Sequence, residues 1–143
     1  MTKKIMKNLS YSGLGLPIEL HNVGMIKING EFHPKIDVKK LADSTIETLV
    51  TQESRLTGNQ IKFIRSYFSM SLRRFANVVN ESHMAVKKWE LFLNNPTNMD
   101  INIEILLRLY IYDHIIKKND RKKIEFYNRY LELTTMFSQQ EMR

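Results

Sequence analysis

Between Thr57 and Glu90 the apolar residues recur at helical spacing in three short bursts. Ile61, Ile64 and Phe68 share one face, Leu72, Phe75, Ala76 and Val79 a second, and Val86 and Trp89 a third. A period near 3.6 predicts three helices. Polar residues part them where caps are needed. "TGNQ" is a capping box, with Thr57 at the cap and Gln60 three residues on, and Ser71 and Ser82 stand directly before the second and third bursts. A fourth helix is predicted from about 102 to 116, after the loop "NNPTNMD" with Pro96 as breaker and Asp100 as cap. Its apolar residues run almost all round in "IEILLRLYIY", which predicts a central position. Asp120 can open a last helix carrying Ile124, Tyr127, Leu131 and Thr134 on one stripe.

Before Thr57 the period changes. "MIKINGEFHP" has apolar flanks around Asn29-Gly30, a strong two-residue hairpin signal because both residues tolerate positive φ. Ile26 and Ile28 then face one side, and Met25, Lys27 and Phe32 the other. Both faces are partly apolar, so something is expected to cover the ribbon. Pro34 stops the second strand. Asp37 can cap a helix with Val38, Leu41, Ala42, Ile46, Leu49 and Val50, followed by the polar connector "TQESR". The reading divides the chain into an appendage (1–55), a helical domain (56–116) and a C-terminal helix (117–143). There is no internal repeat.

Composition narrows the function classes. The chain has 143 residues, 43% of them apolar, too hydrophobic for a disordered chain. No apolar run approaches the roughly 18 residues that span a bilayer, and no apolar core follows the basic N-terminus as in a signal peptide. With no cysteine, disulfides, thiolate zinc sites and cysteine nucleophiles are excluded, and a cytoplasmic protein is expected. His21, His33 and His114 lack metal-ligand spacing, and there is no phosphate loop or G-x-S-x-G. The expectation is a non-enzyme without cofactor, metal or membrane. The net charge is +7. From Thr57 to Glu90, six cations (Lys62, Arg65, Arg73, Arg74, Lys87, Lys88) stand against Glu81 and Glu90, a local excess of four. Such a balance favours anionic partners.

The two central helices meet the demands of a DNA-reading helix-turn-helix. Ala76 is small enough for close crossing, and Asn80 tolerates the left-handed turn. Ser82 caps the third helix, so its N-terminal amides can face phosphate. Val86 and Trp89 plug the core. His83, Met84, Lys87 and Lys88 are left looking outward. The pattern Ser71, Ala76, Asn80, Ser82, Val86, Trp89, Glu90 resembles the Xre/Cro repressor family. "YSGLGLPIEL", "MIKINGEFHP" and "LTGNQIKFIRSYF" look like the segments leading into the DNA-binding domain of MqsA-type and HigA-type antitoxins. The resemblance covers roughly residues 11–113, strongest from 56 to 90. It implies a mainly α fold, a five-helix Xre/lambda-repressor-like helix-turn-helix domain with a small N-terminal β-hairpin appendage.

The same resemblance implies a homodimer that binds palindromic double-stranded DNA, represses its own toxin–antitoxin promoter and neutralises a toxin protein. The expected DNA-binding set is Ser71, Arg73, Arg74, Ser82, His83, Met84, Lys87 and Lys88. For Arg73 and Arg74, phosphate contact and plain solubility both stay open, and for His83 base contact and a surface or cap role. The chain departs from the family in four ways. It lacks cysteine and so the zinc-binding N-terminal domain of MqsA. Leu72 stands where a phosphate-contacting Gln is common. Glu81 replaces an apolar turn residue, which predicts a looser turn. The last helix has no counterpart. Two rivals remain: a stand-alone Xre-type regulator without a toxin, and a protein-interaction module for an acidic partner. A neighbouring toxin gene separates the first, and salt-dependent DNA binding the second. The candidate dimer surfaces are the hairpin, residues 23–33, which is favoured, and the last helix.

Overall fold

The computed structural model describes residues 3–115 and the short helical pieces 128–129, 131–132 and 135–136. Among these residues the chain forms three strands and five helices. They are β1 (Lys3–Tyr11), β2 (Ile18–Ile28), β3 (Glu31–Pro34), α1 (Val38–Thr51), α2 (Gly58–Tyr67), α3 (Leu72–Val78), α4 (His83–Glu90) and α5 (Ile101–Ile115). They fall into two compact units, residues 1–43 and 44–143. The division lies inside α1, not at the polar connector.

The first unit is an antiparallel sheet in the order β1-β2-β3. The two-residue turn at Asn29 and Gly30 is present, with φ of 51° and 85° as a type I′ turn requires. The expected two-stranded hairpin is nevertheless too small. β1 pairs with β2 along most of its length, from Lys3↔Ile26 to Tyr11↔Ile18. "SGLGLP" supplies the connection: the Gly15 amide donates to the Ser12 carbonyl at 2.9 Å, and Gly15 takes φ +82°. A lone ribbon is marginal in water, and the third strand extends its ladder. Val23 and Met25 are buried on one face, while Lys27 lies over the exposed ring of Phe32 farther along it. On the other face Ile5 is 70% and Ile28 47% exposed.

Asp37 caps α1 as expected, accepting from the Lys40 amide at 3.1 Å. The apolar stripe read along α1 is buried only in its second half, at Ile46, Leu49 and Val50, and Val38 is exposed. In the second unit Ile46, Val50, Leu56, Ile61, Ile64, Phe75, Val86, Leu107 and Ile111 are fully buried core residues. Of the expected helix from Asp120, Ile124, Tyr127 and Thr134 lie outside the described residues. Leu131 is helical and exposed.

α5 does pass through the core, but it is not wholly apolar inside. Glu104 and Arg108, four residues apart and so on one face, are both buried. One Glu104 oxygen accepts from Arg55 Nε and from the Leu56 amide, each at 3.0 Å, and the other from Arg108 Nη2 at 2.9 Å. Arg108 also donates to the carbonyls of Gln52 at 2.6 Å and Ser54 at 2.9 Å, and Arg55 donates to that of Met99. One carboxylate thus fixes the chain between α1 and α2 against α5. Burial pushes the Arg108 guanidinium below its ordinary pKa, against the pull of Glu104.

Candidate nucleic-acid interface

α3 and α4 owe their boundaries to local chemistry. Ser71 has extended backbone and accepts the Arg74 amide at 3.1 Å, so one orphan donor of α3 is satisfied. Ser82 does the same for α4, accepting the Ala85 amide at 3.1 Å. Between them α3 closes as a Schellman turn. Asn80 takes φ +55°, its amide donates to the Asn77 carbonyl at 3.2 Å, and the Glu81 amide donates to the Ala76 carbonyl at 2.9 Å. The backbone bonds of this turn are complete, while Glu81, where an apolar residue is expected, is only half-buried. A shallow cleft does open beside it, lined by Arg73, Ala76, Asn77, Glu81, Ser82 and His83.

The inner face of the pair is apolar. Phe75, Ala76, Val79, Val86 and Trp89 are buried. Ala76 and Val86 face the core, so the outward residues of α4 are fixed by elimination. Met84 is 60% exposed, Lys87 and Lys88 are exposed, and His83 is half-buried. Arg73 and Arg74 are exposed on α3, beside the exposed cap Ser71, and the cap Ser82 is exposed too. Among the described residues Arg73, Arg74, Lys87 and Lys88 enter no ion pair. The eight residues singled out by spacing thus lie on or beside one surface segment, two of them as caps.

Two features that hold α4 in place were not read from the sequence. Glu90 accepts from Arg65 Nε at 2.8 Å and Nη2 at 2.9 Å, a two-point clamp from α4 to α2. The same Arg65 donates to the Met70 carbonyl, and the Glu90 carboxylate raises its pKa. Arg65 therefore does not belong among the outward cations. Its signal was an opposite-charge pair at the C-terminal ends of two helices that share a core. The other feature is Gly58. A Cβ there would lie 2.5 Å from the Trp89 carbonyl oxygen and 2.7 Å from the Leu93 nitrogen. The first turn of α2 thus meets the backbone that follows α4. The Asn59 amide donates to the Leu93 carbonyl at 2.8 Å and the Gly58 amide to that of Asn95 at 3.3 Å. The capping box of Thr57 and Gln60 completes this end.

Among the described residues no three His, Cys, Asp or Glu side chains gather to hold a metal ion, and no helix is long and apolar enough to cross a membrane. No family model, curated protein or solved structure matches the chain. The surface can bind an anion through lysine and arginine donors and the amide end of α4.

Proposed function

We propose that the chain is a sequence-specific double-stranded DNA-binding repressor, built on a helix-turn-helix of α3 and α4, and the antitoxin of a toxin–antitoxin operon. The observation that carries the DNA reading is the capped α3–turn–α4 pair with its free cationic outer face. α4 is braced from behind by Val86, Trp89 and the Arg65–Glu90 clamp, so its outer side chains are presented on a rigid element. The toxin rests on the resemblance to MqsA-type and HigA-type antitoxins.

Binding to a duplex from the chain's own promoter, titrated with salt, tests the DNA reading. Affinity falls steeply, with a slope that counts the phosphates neutralised. Absence of binding at low salt rejects it. Co-purification from the native operon tests the toxin: no bound neighbour leaves a stand-alone regulator. A single element of this size reads few base pairs, so a dimer on two half-sites is expected. We place its contact on the N-terminal sheet. Removal of residues 1–36 then gives a monomer by light scattering, and a truncated chain that stays dimeric moves the contact elsewhere.

A further inference from the structure

The outward face of α4 carries an unusual inventory. Lys87 and Lys88 are donors without an acceptor, and Met84 is an exposed thioether with no hydrogen-bonding strength to speak of. The carboxylate on the helix, Glu90, is held by Arg65, and Glu81 is half-buried in the turn before the cap. Asn77 and Asn80 belong to α3 and its turn. In the major groove, adenine is read by an amide that both donates and accepts, and cytosine by a carboxylate. The exposed face of α4 offers neither; Ser82 and the half-buried His83 at its start can donate or accept, but neither supplies an amide's two-point match or a carboxylate. Guanine shows two acceptors, O6 and N7, and thymine alone shows a methyl group.

Spacing adds a distance. Lys88 follows Met84 by four residues, so the two share a stripe one turn apart. One turn rises about 5.4 Å, against about 3.4 Å per base step of DNA. We propose that α4 reads a half-site in which a guanine, held by Lys88, and a thymine, touched through its methyl by Met84, lie one to two base pairs apart. This deepens the DNA-binding reading and rests on it.

The experiment uses the full chain. A bound duplex is first selected from a randomised pool. Its thymine is then replaced by deoxyuridine, which removes only the methyl, and its guanine by 7-deazaguanine, which removes N7. Loss of one buried methyl weakens binding roughly four-fold. Loss of an acceptor for a charged donor weakens it roughly ten-fold. In Met84→Ala the thymine–deoxyuridine difference disappears and the guanine sensitivity stays. In Lys88→Ala the reverse holds. Both side chains are exposed, and circular dichroism checks that both variants keep their helices. A selected site without this pair of bases, or one indifferent to both replacements, overturns the proposal. So does equal binding to every duplex, which leaves DNA binding itself standing. Failure to bind any duplex at low salt overturns both.

Discussion

α5 and α4 treat charge in opposite ways. In α5, Glu104 and Arg108 are withdrawn from water and spend their hydrogen bonds on the chain itself. In α4, Lys87 and Lys88 stay in water and, among the described residues, enter no ion pair, while the one acid of the helix is turned back to Arg65. Buried charge of the first kind is costly to break, because each partner is left desolvated and unpaired. Exposed charge of the second kind contributes little to folding and remains available to a ligand. Charge count alone does not separate the two. Their positions relative to the core do.

Four substitutions probe that contrast, from the largest expected effect on folding to the smallest. Glu104→Ala leaves two guanidinium groups and the Leu56 amide without their shared acceptor. It should lower unfolding free energy by about 3–5 kcal/mol in a urea titration. A loss under about 1 kcal/mol would show that water reaches the site and that α5 is not the polar centre described. Gly58→Ala forces a methyl group against the backbone after α4. An overpacked contact of this kind costs about 1–3 kcal/mol, read as a shift in the midpoint of thermal melting. Unchanged melting would mean that α2 and α4 can part at no cost. Ser82→Ala removes a cap on an exposed turn, and about 1 kcal/mol is expected from the same melt. Lys88→Ala should change stability by no more than about 0.5 kcal/mol. On the proposed DNA-binding reading its effect falls on binding, where about 1–3 kcal/mol is expected on the selected duplex in a gel-shift titration. If Lys88→Ala lowers stability by more than about 1 kcal/mol and the folded protein keeps its affinity for the duplex, the contrast between the two helices is lost.

The parts legible in the sequence were those written in local chemistry. Ser71, Ser82, Asp37 and Thr57 cap helices because a short side-chain oxygen can reach an amide three residues on, whatever lies elsewhere. Asn80 and the Asn29-Gly30 turn were legible because few residues tolerate positive φ. The burial of Val86 and Trp89 followed from their period. What escaped was set by partners distant in the chain. "KKIMKNLSY" alternates too weakly to announce a strand, and β1 is defined by its ladder with β2. Glu104 sat inside an apolar run, and its partner Arg55 is 49 residues away. The need for glycine at position 58 has no local signal, since the obstacle to a side chain there comes from the backbone at Trp89, Glu90 and Leu93.

The hydrogen bonds around Gly58 have a consequence for how the chain could be rewired. The Thr97 amide donates to the Leu56 carbonyl, and Thr57 bridges to Pro96, so the entry to α2 and the exit from the loop after α4 are clasped together. The three helices between them form a closed circuit. A circuit whose ends already meet tolerates changes in the length of the chain outside it at little cost in closure entropy, about 0.6 kcal/mol for each doubling. As far as the clasp sets it, α4 stays seated on α2 with its outer face unchanged while residues 56–97 are kept. The path of the chain on either side is thus separable from the surface that these helices present.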